Sequence, residues 1–287
     1  MQLTCLLSFI VLLPALVLPE VIPPQIAAHT PFVNCNEFFA KPGGIVTFPT
    51  IFNQNQYKQI CQKYNNMYEF ATLYNTDDKI PVYSAYLYRG NEVCDRKNTW
   101  YIEPQVSLYH VTPQNNKQDF DVSLVNSNIG VNGAGEHQAL NTDYKNQTEY
   151  ERGHLYPVFH TFQQCTVNAT YTLTNAAPQD RSLNRGKWRV ATKTFLDAHC
   201  FSGFAYVVTG VVPGTGKLNN RVIIPSFFWS AYCCLDKTSM KPTYSGGFIT
   251  PNNNQRDIPN ITVAQLDQTL SDQNHYNTPF SVFRNRC

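Results

Sequence analysis

Four consecutive residues in the stretch YERGHLYPVFH combine an acid, a cation, a glycine and an imidazole: Glu151, Arg152, Gly153 and His154. A second set follows in LTNAAPQDRSLNRGKW, where Asn175, Gln179 and Asn184 supply carboxamides around Pro178 and ahead of Trp188. A neutral imidazole can take a proton from water near pH 7. A guanidinium can clamp phosphate oxygens. Mg²⁺ keeps most of its waters and needs as little as one protein oxygen, which an Asn carbonyl can supply. Such an ion neutralises charge on phosphoryl and leaving oxygens. Together these residue types suit hydrolysis of a phosphodiester. Each segment alone also reads as a polar turn, and the Asn184 amide could instead be satisfied by a neighbouring carbonyl or by the first turn of its own helix.

The elements that must position these groups can be read from pattern. IPVYSAYLYRG (80–90) is β-branched and aromatic, as strands are, and WYIEPQVSLYHV (100–111) reads as another. YKQICQKYNNMYEFATLY, ending near residue 75, carries some helical spacing. Residues 112–149 are rich in Asn, Gln, Gly and Asp and read as a long irregular connection, a kind that is often functional. TYTLTN (170–175) alternates like a half-buried strand, and AAPQDRS reads as a turn. From Ser182 as N-cap, a helix is expected to run to about His199. It would place Trp188, Ala191, Phe195 and Ala198 on one face, with Asn184 one turn earlier on that face. FAYVVTGVVPG (204–214) and RVIIPSFFWSAYCCL (221–235) are apolar enough to form the centre of a sheet, and NITVAQLDQTLSD carries a short surface helix near the end.

Composition bounds the rest. With 43% hydrophobic residues, a 287-residue chain can build a sizeable core and is not disordered. A net charge of +2 excludes a polybasic tail but permits a local basic groove. Arg181, Arg185, Lys187 and Arg189 crowd the start of the Asn184 helix. They read either as a solvated face or as a phosphate-steering patch, whose contacts would make binding sequence-tolerant and salt-sensitive. No aromatic–basic interleaving along the chain signals base readout. G-x-G-x-x-G, Walker A and G-x-S-x-G patterns are absent, which speaks against a nucleotide cofactor and a serine-hydrolase elbow. Leu6 to Leu18 is an uncharged apolar run, too short for a membrane span of about 20 residues and suited to a signal peptide over residues 1–20. Of nine cysteines, Cys5 falls in that leader, leaving eight for up to four disulfides of open connectivity in an oxidising compartment. A zinc site is poorly supported, since no C-x-x-C occurs. Sequons at Asn146, Asn168 and Asn260 fit a secreted glycoprotein.

The spacing Glu151-Arg152-Gly153-His154, then Asn175-x-x-Pro178-Gln179, then Leu183-Asn184-x-x-x-Trp188 resembles the DNA/RNA non-specific endonuclease family, of the ββα-metal (His-Me finger) class. IPVYSAY, RGHLYP, ALNTDY and the cysteine framework are most similar to its secreted endonuclease domain-containing 1 group. The likeness covers roughly residues 55–283. It implies an α+β fold with a central, mostly antiparallel sheet flanked by helices and stabilised by disulfides. Residues 21–54 would be an N-terminal extension with Cys35, and residues 55–287 the nuclease domain.

The resemblance also implies roles. His154 would be the general base and Asn184 the ligand of Mg²⁺, with Mn²⁺ or Ca²⁺ as possible substitutes. Arg152 would hold the scissile phosphate. Glu151 would support the strand-to-turn geometry, Asn175 would order the site, and Gly153 would let the backbone turn closely. Arg181, Arg185 and Arg89 are further candidate substrate contacts. Thr192 stands where many members carry a Glu eight residues after the metal Asn. The expected partners are DNA and RNA, bound through phosphates and cut with little sequence preference. With Thr192 and Glu151 as departures, the alternative is a non-catalytic extracellular binding protein on the same scaffold.

Overall fold

A computed structural model of the protein describes residues 20–21, 31–65, 67–90, 95–96, 99–103, 106, 133, 135–254 and 257–287. The strands among these are β1 (Glu20–Val21), β2 (Tyr57–Tyr64), β3 (Met67–Asn75), β4 (Ile80–Tyr88), β5 (Tyr150–His154), β6 (Ala176–Asp180), β7 (Ala205–Leu218), β8 (Val222–Leu235) and β9 (Pro242–Pro251). The α-helices described are α1 (Gln164–Thr170), α2 (Arg181–Arg185), α3 (Trp188–His199) and α4 (Val263–Ser271). Seven strands form one antiparallel sheet in the order β1-β2-β3-β4-β7-β8-β9, and β5 pairs with β6 in a separate two-stranded sheet. The fold is α+β, as the sequence predicts.

Alternation along β8 shows how the layers assemble. Trp229, Ala231, Cys233 and Leu235 join a core that contains Phe32, Phe39, Leu266 and Phe283. Phe228, Tyr232 and Cys234 face the opposite way, towards the layer that holds Leu155, Ala177, Leu183 and Leu196. Successive residues of a strand point to opposite faces, so a sheet covered on both sides needs an almost unbroken apolar run. This places β7 and β8 inside the sheet, as expected. The same two-sided burial overturns the helical spacing at 57–75. Ile60 and Cys61 are adjacent and both wholly buried, which a strand with two covered faces requires and a one-faced helix does not.

Three further expectations give way to packing. TYTLTN is not a strand: Thr170 closes α1, and Leu173–Asn175 is a 3-10 turn. Its threonines point inward, with Thr172 and Thr174 donating to Glu103 Oε1 at 2.5 and 3.2 Å and Thr170 to the Val167 carbonyl at 2.8 Å. A buried polar network had imitated a wet face. AAPQD is strand β6 rather than a turn. Pro178 is tolerated there because a two-stranded sheet leaves an outer edge, which Asn252 covers. Asn252 accepts from the Asp180 N–H at 2.8 Å and donates to the carbonyls of Pro178 and Pro225 at 3.0 and 2.9 Å. The helix expected over 182–199 is two helices, α2 and α3, separated at Gly186. Its N-cap is Asp180, whose carboxylate accepts from the N–H groups of Ser182 and Leu183.

In WYIEPQVSLYHV, Tyr101 makes a single bridge to Thr172, while residues 104–105 and 107–111 lie outside the described residues. Of the connection at 112–149, residues 112–132 and 134 also lie outside them; the rest is irregular apart from a 3-10 turn at Asn141–Tyr144. The tail helix is α4, and its Leu266 and Leu270 are wholly buried.

Three disulfides occur among the described residues: Cys35–Cys61, Cys200–Cys234 and Cys233–Cys287. Cys94 lies outside those residues. Cys233 and Cys234 are neighbours on β8 facing opposite layers, so one bridge anchors the C-terminus and the other anchors the end of α3. Loops of such length are worth about 3–4 kcal/mol per bridge on the chain-entropy view. Phe32, Phe38 and Phe39, within the expected N-terminal extension, are buried in the core beneath the sheet. Of the sequons, Asn168 is buried and donates its Nδ2 to the Tyr64 hydroxyl at 2.9 Å, leaving no room for a glycan in the folded chain. Asn146 and Asn260 are exposed. No described helix is long and apolar enough to cross a membrane.

Candidate active site

The β5–β6 pair is the frame of the site. Its register sets Glu151 opposite Gln179, Arg152 opposite Pro178 and His154 opposite Ala176. Gly153 is mid-strand rather than at a turn. A Cβ there would meet the Gln179 side chain at 2.4 Å, so only glycine lets the two strands close at this point. β6 runs directly into α2, and Asp180 caps that helix, fixing where Asn184 emerges. A cavity of about 840 Å³ opens between these elements and α3, lined among others by Arg152, His154, Arg181, Asn184, Arg185 and Thr192.

Glu151 ties strand to helix. Its Oε2 accepts from Asn184 Nδ2 at 2.9 Å and from Arg185 Nε at 3.2 Å, and its Oε1 accepts from Arg181 Nε at 3.2 Å and from Arg185 Nη2. Burial pushes this carboxyl upward, but the hydrogen bonds from Arg185, Asn184 and Arg181 outweigh it and hold Glu151 below its ordinary value. The Glu151 carboxylate thus holds one edge of the Asn184 amide. With Nδ2 engaged, the amide turns its oxygen edge away from the carboxylate. One neutral oxygen suits a largely hydrated Mg²⁺. It does not suit zinc, which needs several nitrogen or sulfur ligands, and no cluster of three or more His, Cys, Asp or Glu able to hold a metal occurs among the described residues.

His154 sits in an aromatic cradle. Its ring lies 4.7 Å from Trp100 and 4.9 Å edge-on from Tyr171, centroid to centroid. Its Nε2 is buried without a hydrogen-bond partner. Burial, reinforced by the positive charges of Arg96 and Arg152, pushes its pKa down to about 3. The imidazole is thus neutral at pH 7. Arg152 lies beside it, its guanidinium 5.4 Å from the Trp100 ring and 5.2 Å from the Tyr144 ring. Its Nη2 donates to Asn141 Oδ1, while Nε is buried without a partner. Burial lowers its pKa, yet the group remains a cation.

Two expected site residues fall elsewhere. Asn175 is wholly buried and does not line the cavity. Its Oδ1 accepts from Ser84 Oγ and the Tyr156 N–H, both at 2.9 Å, and its Nδ2 donates to the carbonyls of Tyr156 and Thr170 at 3.2 and 3.1 Å. All its capacity goes to protein groups, tying Tyr156, just after β5, to Ser84 and Thr170. Arg89, at the end of β4, lines a separate cavity of about 180 Å³ with Glu69, Tyr156 and Thr166. Arg181 and Arg185 do line the main cavity, whereas Lys187 does not. The residues that sequence reasoning missed are Trp100, Tyr144, Asn141, Tyr171, Arg96 and Phe159. Aromatic and basic groups do interleave here, in space rather than along the chain.

The family description "DNA/RNA non-specific endonuclease" matches residues 49–281. The chain belongs to that family. Among similar proteins is the human Endonuclease domain-containing 1 protein, 32% identical over 266 residues, covering 89% of this chain and 48% of the relative. The mouse protein of the same name is 31% identical over 247 residues, covering 83% of this chain and 46% of the relative. The chain therefore spans about half the length of the curated relatives it matches. A chain from the crystal structure of an EndoG/EndoGI complex aligns with a TM-score of 0.45 at 18% identity, over 70% of this chain and 80% of that one. The cavity is walled by an imidazole, guanidiniums and one oriented carboxamide.

Proposed function

We propose that this chain is a secreted, metal-dependent endonuclease that hydrolyses phosphodiester bonds of DNA and RNA with little sequence preference. The observation that carries the reading is the shared cavity of His154, Arg152 and Asn184, with a neutral, unpartnered imidazole nitrogen at its wall. The neutral ring takes a proton from the attacking water as the water oxygen bonds to phosphorus. The bond from phosphorus to the leaving oxygen then breaks, and that oxygen is protonated from solvent. Arg152, held by Asn141 and two rings, offers its remaining N–H groups to the phosphoryl oxygens. Asn184, oriented by Glu151, would hold Mg²⁺, or Mn²⁺ or Ca²⁺ in its place. When bound, that cation would neutralise charge on the phosphoryl and leaving oxygens. Secretion is supported by the apolar leader and by the disulfides.

The non-catalytic binding protein remains the second reading. What favours it is Thr192, buried in the cavity wall, which brings no carboxylate of its own to order metal-bound water. One experiment separates the two. Purified protein should degrade supercoiled plasmid with Mg²⁺ and leave it intact with EDTA. Plasmid that survives Mg²⁺, Mn²⁺ and Ca²⁺ across pH 5–9, while still being bound, would establish the binder.

A further inference from the structure

Of the three sequons, two are taken up by the fold and one is not. Asn168 is buried in α1 with its Nδ2 on the Tyr64 hydroxyl, and the threonine of its sequon, Thr170, donates inward to the Val167 carbonyl. Asn260 is exposed, but its amide is turned against the sheet. Its Nδ2 donates to the Tyr232 hydroxyl at 2.8 Å, and a Cβ on Gly246 would come within 2.8 Å of its Oδ1. The threonine of that sequon, Thr262, is the N-cap of α4, where its Oγ1 accepts from the Gln265 N–H at 3.2 Å. Asn146 and Thr148 differ on every count. Both are exposed, and neither side chain is hydrogen-bonded among the described residues.

Asn146 stands at a turn that is held on both sides. Before it, Asp143 in the 3-10 turn accepts from Arg221 Nε at 2.9 Å and from Asn219 Nδ2 at 3.1 Å. After it, Tyr150 opens β5 opposite Asp180. The Asn146 backbone has a φ of 61°, a left-handed conformation that asparagine and aspartate adopt more readily than other side chains. Tyr144, Gln147 and Tyr150 all line the main cavity, so this turn borders it. An exposed acceptor amide is thus fixed at its base, one residue from the cavity wall.

We infer that Asn146 is the glycosylated sequon of this chain and that its glycan narrows access to the main cavity. The acceptor is Asn146 Nδ2. It bonds to the anomeric carbon of an oligosaccharide carried on a lipid diphosphate. The bond from that carbon to the diphosphate oxygen breaks, the lipid diphosphate leaves, and the amide gives up one proton; no oxidant or reductant is consumed. An N-linked glycan is bulky and strongly solubilising. Beside the cavity it obstructs a wide duplex more than a slender single strand, and it leaves the groups inside the cavity unchanged. The inference rests on the secretion and nuclease readings: the first supplies the compartment in which the glycan is added, the second the ligand it obstructs.

The test expresses the full chain with its own leader in mammalian cells and treats the secreted protein with an amidase that removes N-linked glycans. The wild type should lose the mass of one glycan, and Asn260→Asp and Thr148→Ser should lose the same. Thr148→Ala should lose none, nor should Asn146→Asp, which keeps the backbone conformation but lacks the acceptor nitrogen. Affinity is then read by anisotropy of labelled duplex and single-stranded DNA in EDTA, without cleavage. Thr148→Ala should bind duplex about three- to tenfold more tightly than the glycosylated wild type, with single-strand affinity within about twofold. A glycan that persists in Asn146→Asp, or a secreted wild type that is bare at Asn146, would overturn the site. Equal duplex affinities of Thr148→Ala and wild type would overturn its effect on access. A wild type retained in the cell without any glycan would defeat the secretion reading and the site with it. A secreted wild type that is glycosylated at Asn146 but binds no nucleic acid would defeat the nuclease reading and leave the site standing.

Discussion

Two asparagine–histidine pairs lie within a few residues of each other, and they are used in opposite ways. Asn175 is fully engaged, and His160 is engaged through Nδ1. The amide makes four hydrogen bonds, and the His160 Nδ1 meets the Tyr86 hydroxyl at 2.8 Å. Asn184 and His154 are held but left incomplete. Glu151 takes one edge of the amide, and Nε2 of the imidazole has no partner. Burial depresses both histidines to about 3, so their titration does not separate them. What separates them is hydrogen-bonding capacity left over after folding. A satisfied polar group stabilises; one held in place with capacity to spare can act on a ligand.

That contrast can be broken by mutation. The largest difference is expected between the asparagines. Asn184→Ala should reduce Mg²⁺-dependent plasmid cleavage by at least about 100-fold with little change in melting temperature. Asn175→Ala should destabilise the fold by about 2–4 kcal/mol by urea titration, because it strands buried partners. If the two variants exchanged phenotypes, the assignment would be reversed.

Glu151→Gln sharpens the contrast further. The neutral amide weakens the clamp on Asn184 and releases Arg181 and Arg185, so the Mg²⁺ concentration needed for half-maximal cleavage should rise about 10- to 100-fold. An unchanged Mg²⁺ requirement would show that Glu151 is merely structural.

The smallest effect concerns pH and stability. Glu103, wholly buried on the Thr172 and Thr174 hydroxyls, has its pKa raised from 4.5 to about 7, with burial the main cause. Between these values the folded chain keeps a proton that the unfolded chain has lost. Its contribution to stability is therefore complete below pH 4.5 and declines as pH rises through 7. His154 and His160 act in reverse, losing stability as pH falls from 6.5 towards 3. In thermal melts at pH 5 and 8, Glu103→Gln should show a smaller decline with rising pH than the wild type. Parallel declines would remove Glu103 from the account.

Much of the site could be read in the chain because its parts are short in sequence. Glu151 to His154 form one strand, and Asn184 follows a capped helix start, so local spacing carried both. The roles were less legible. Asn175 belongs to the same motif as Asn184, but only the packed fold reveals that four buried groups consume its amide. Pro178 and the alternating threonines misled because propensity registers a missing N–H or a polar side chain, not the edge Asn252 covers or the Glu103 carboxyl beneath. Arg96, Phe159 and Arg189 come from three distant segments, and no local pattern joins them. Arg89, named from the resemblance as a further candidate substrate contact, stands at a strand end that opens on a different cavity.

The central claim is that the unpartnered imidazole of His154 is the base. Chemical rescue tests it most directly. His154→Ala should lose about 10²–10⁴-fold in cleavage rate, and added imidazole should restore activity in proportion to its concentration. Cleavage by His154→Ala at the wild-type rate, with no response to imidazole, would contradict the account.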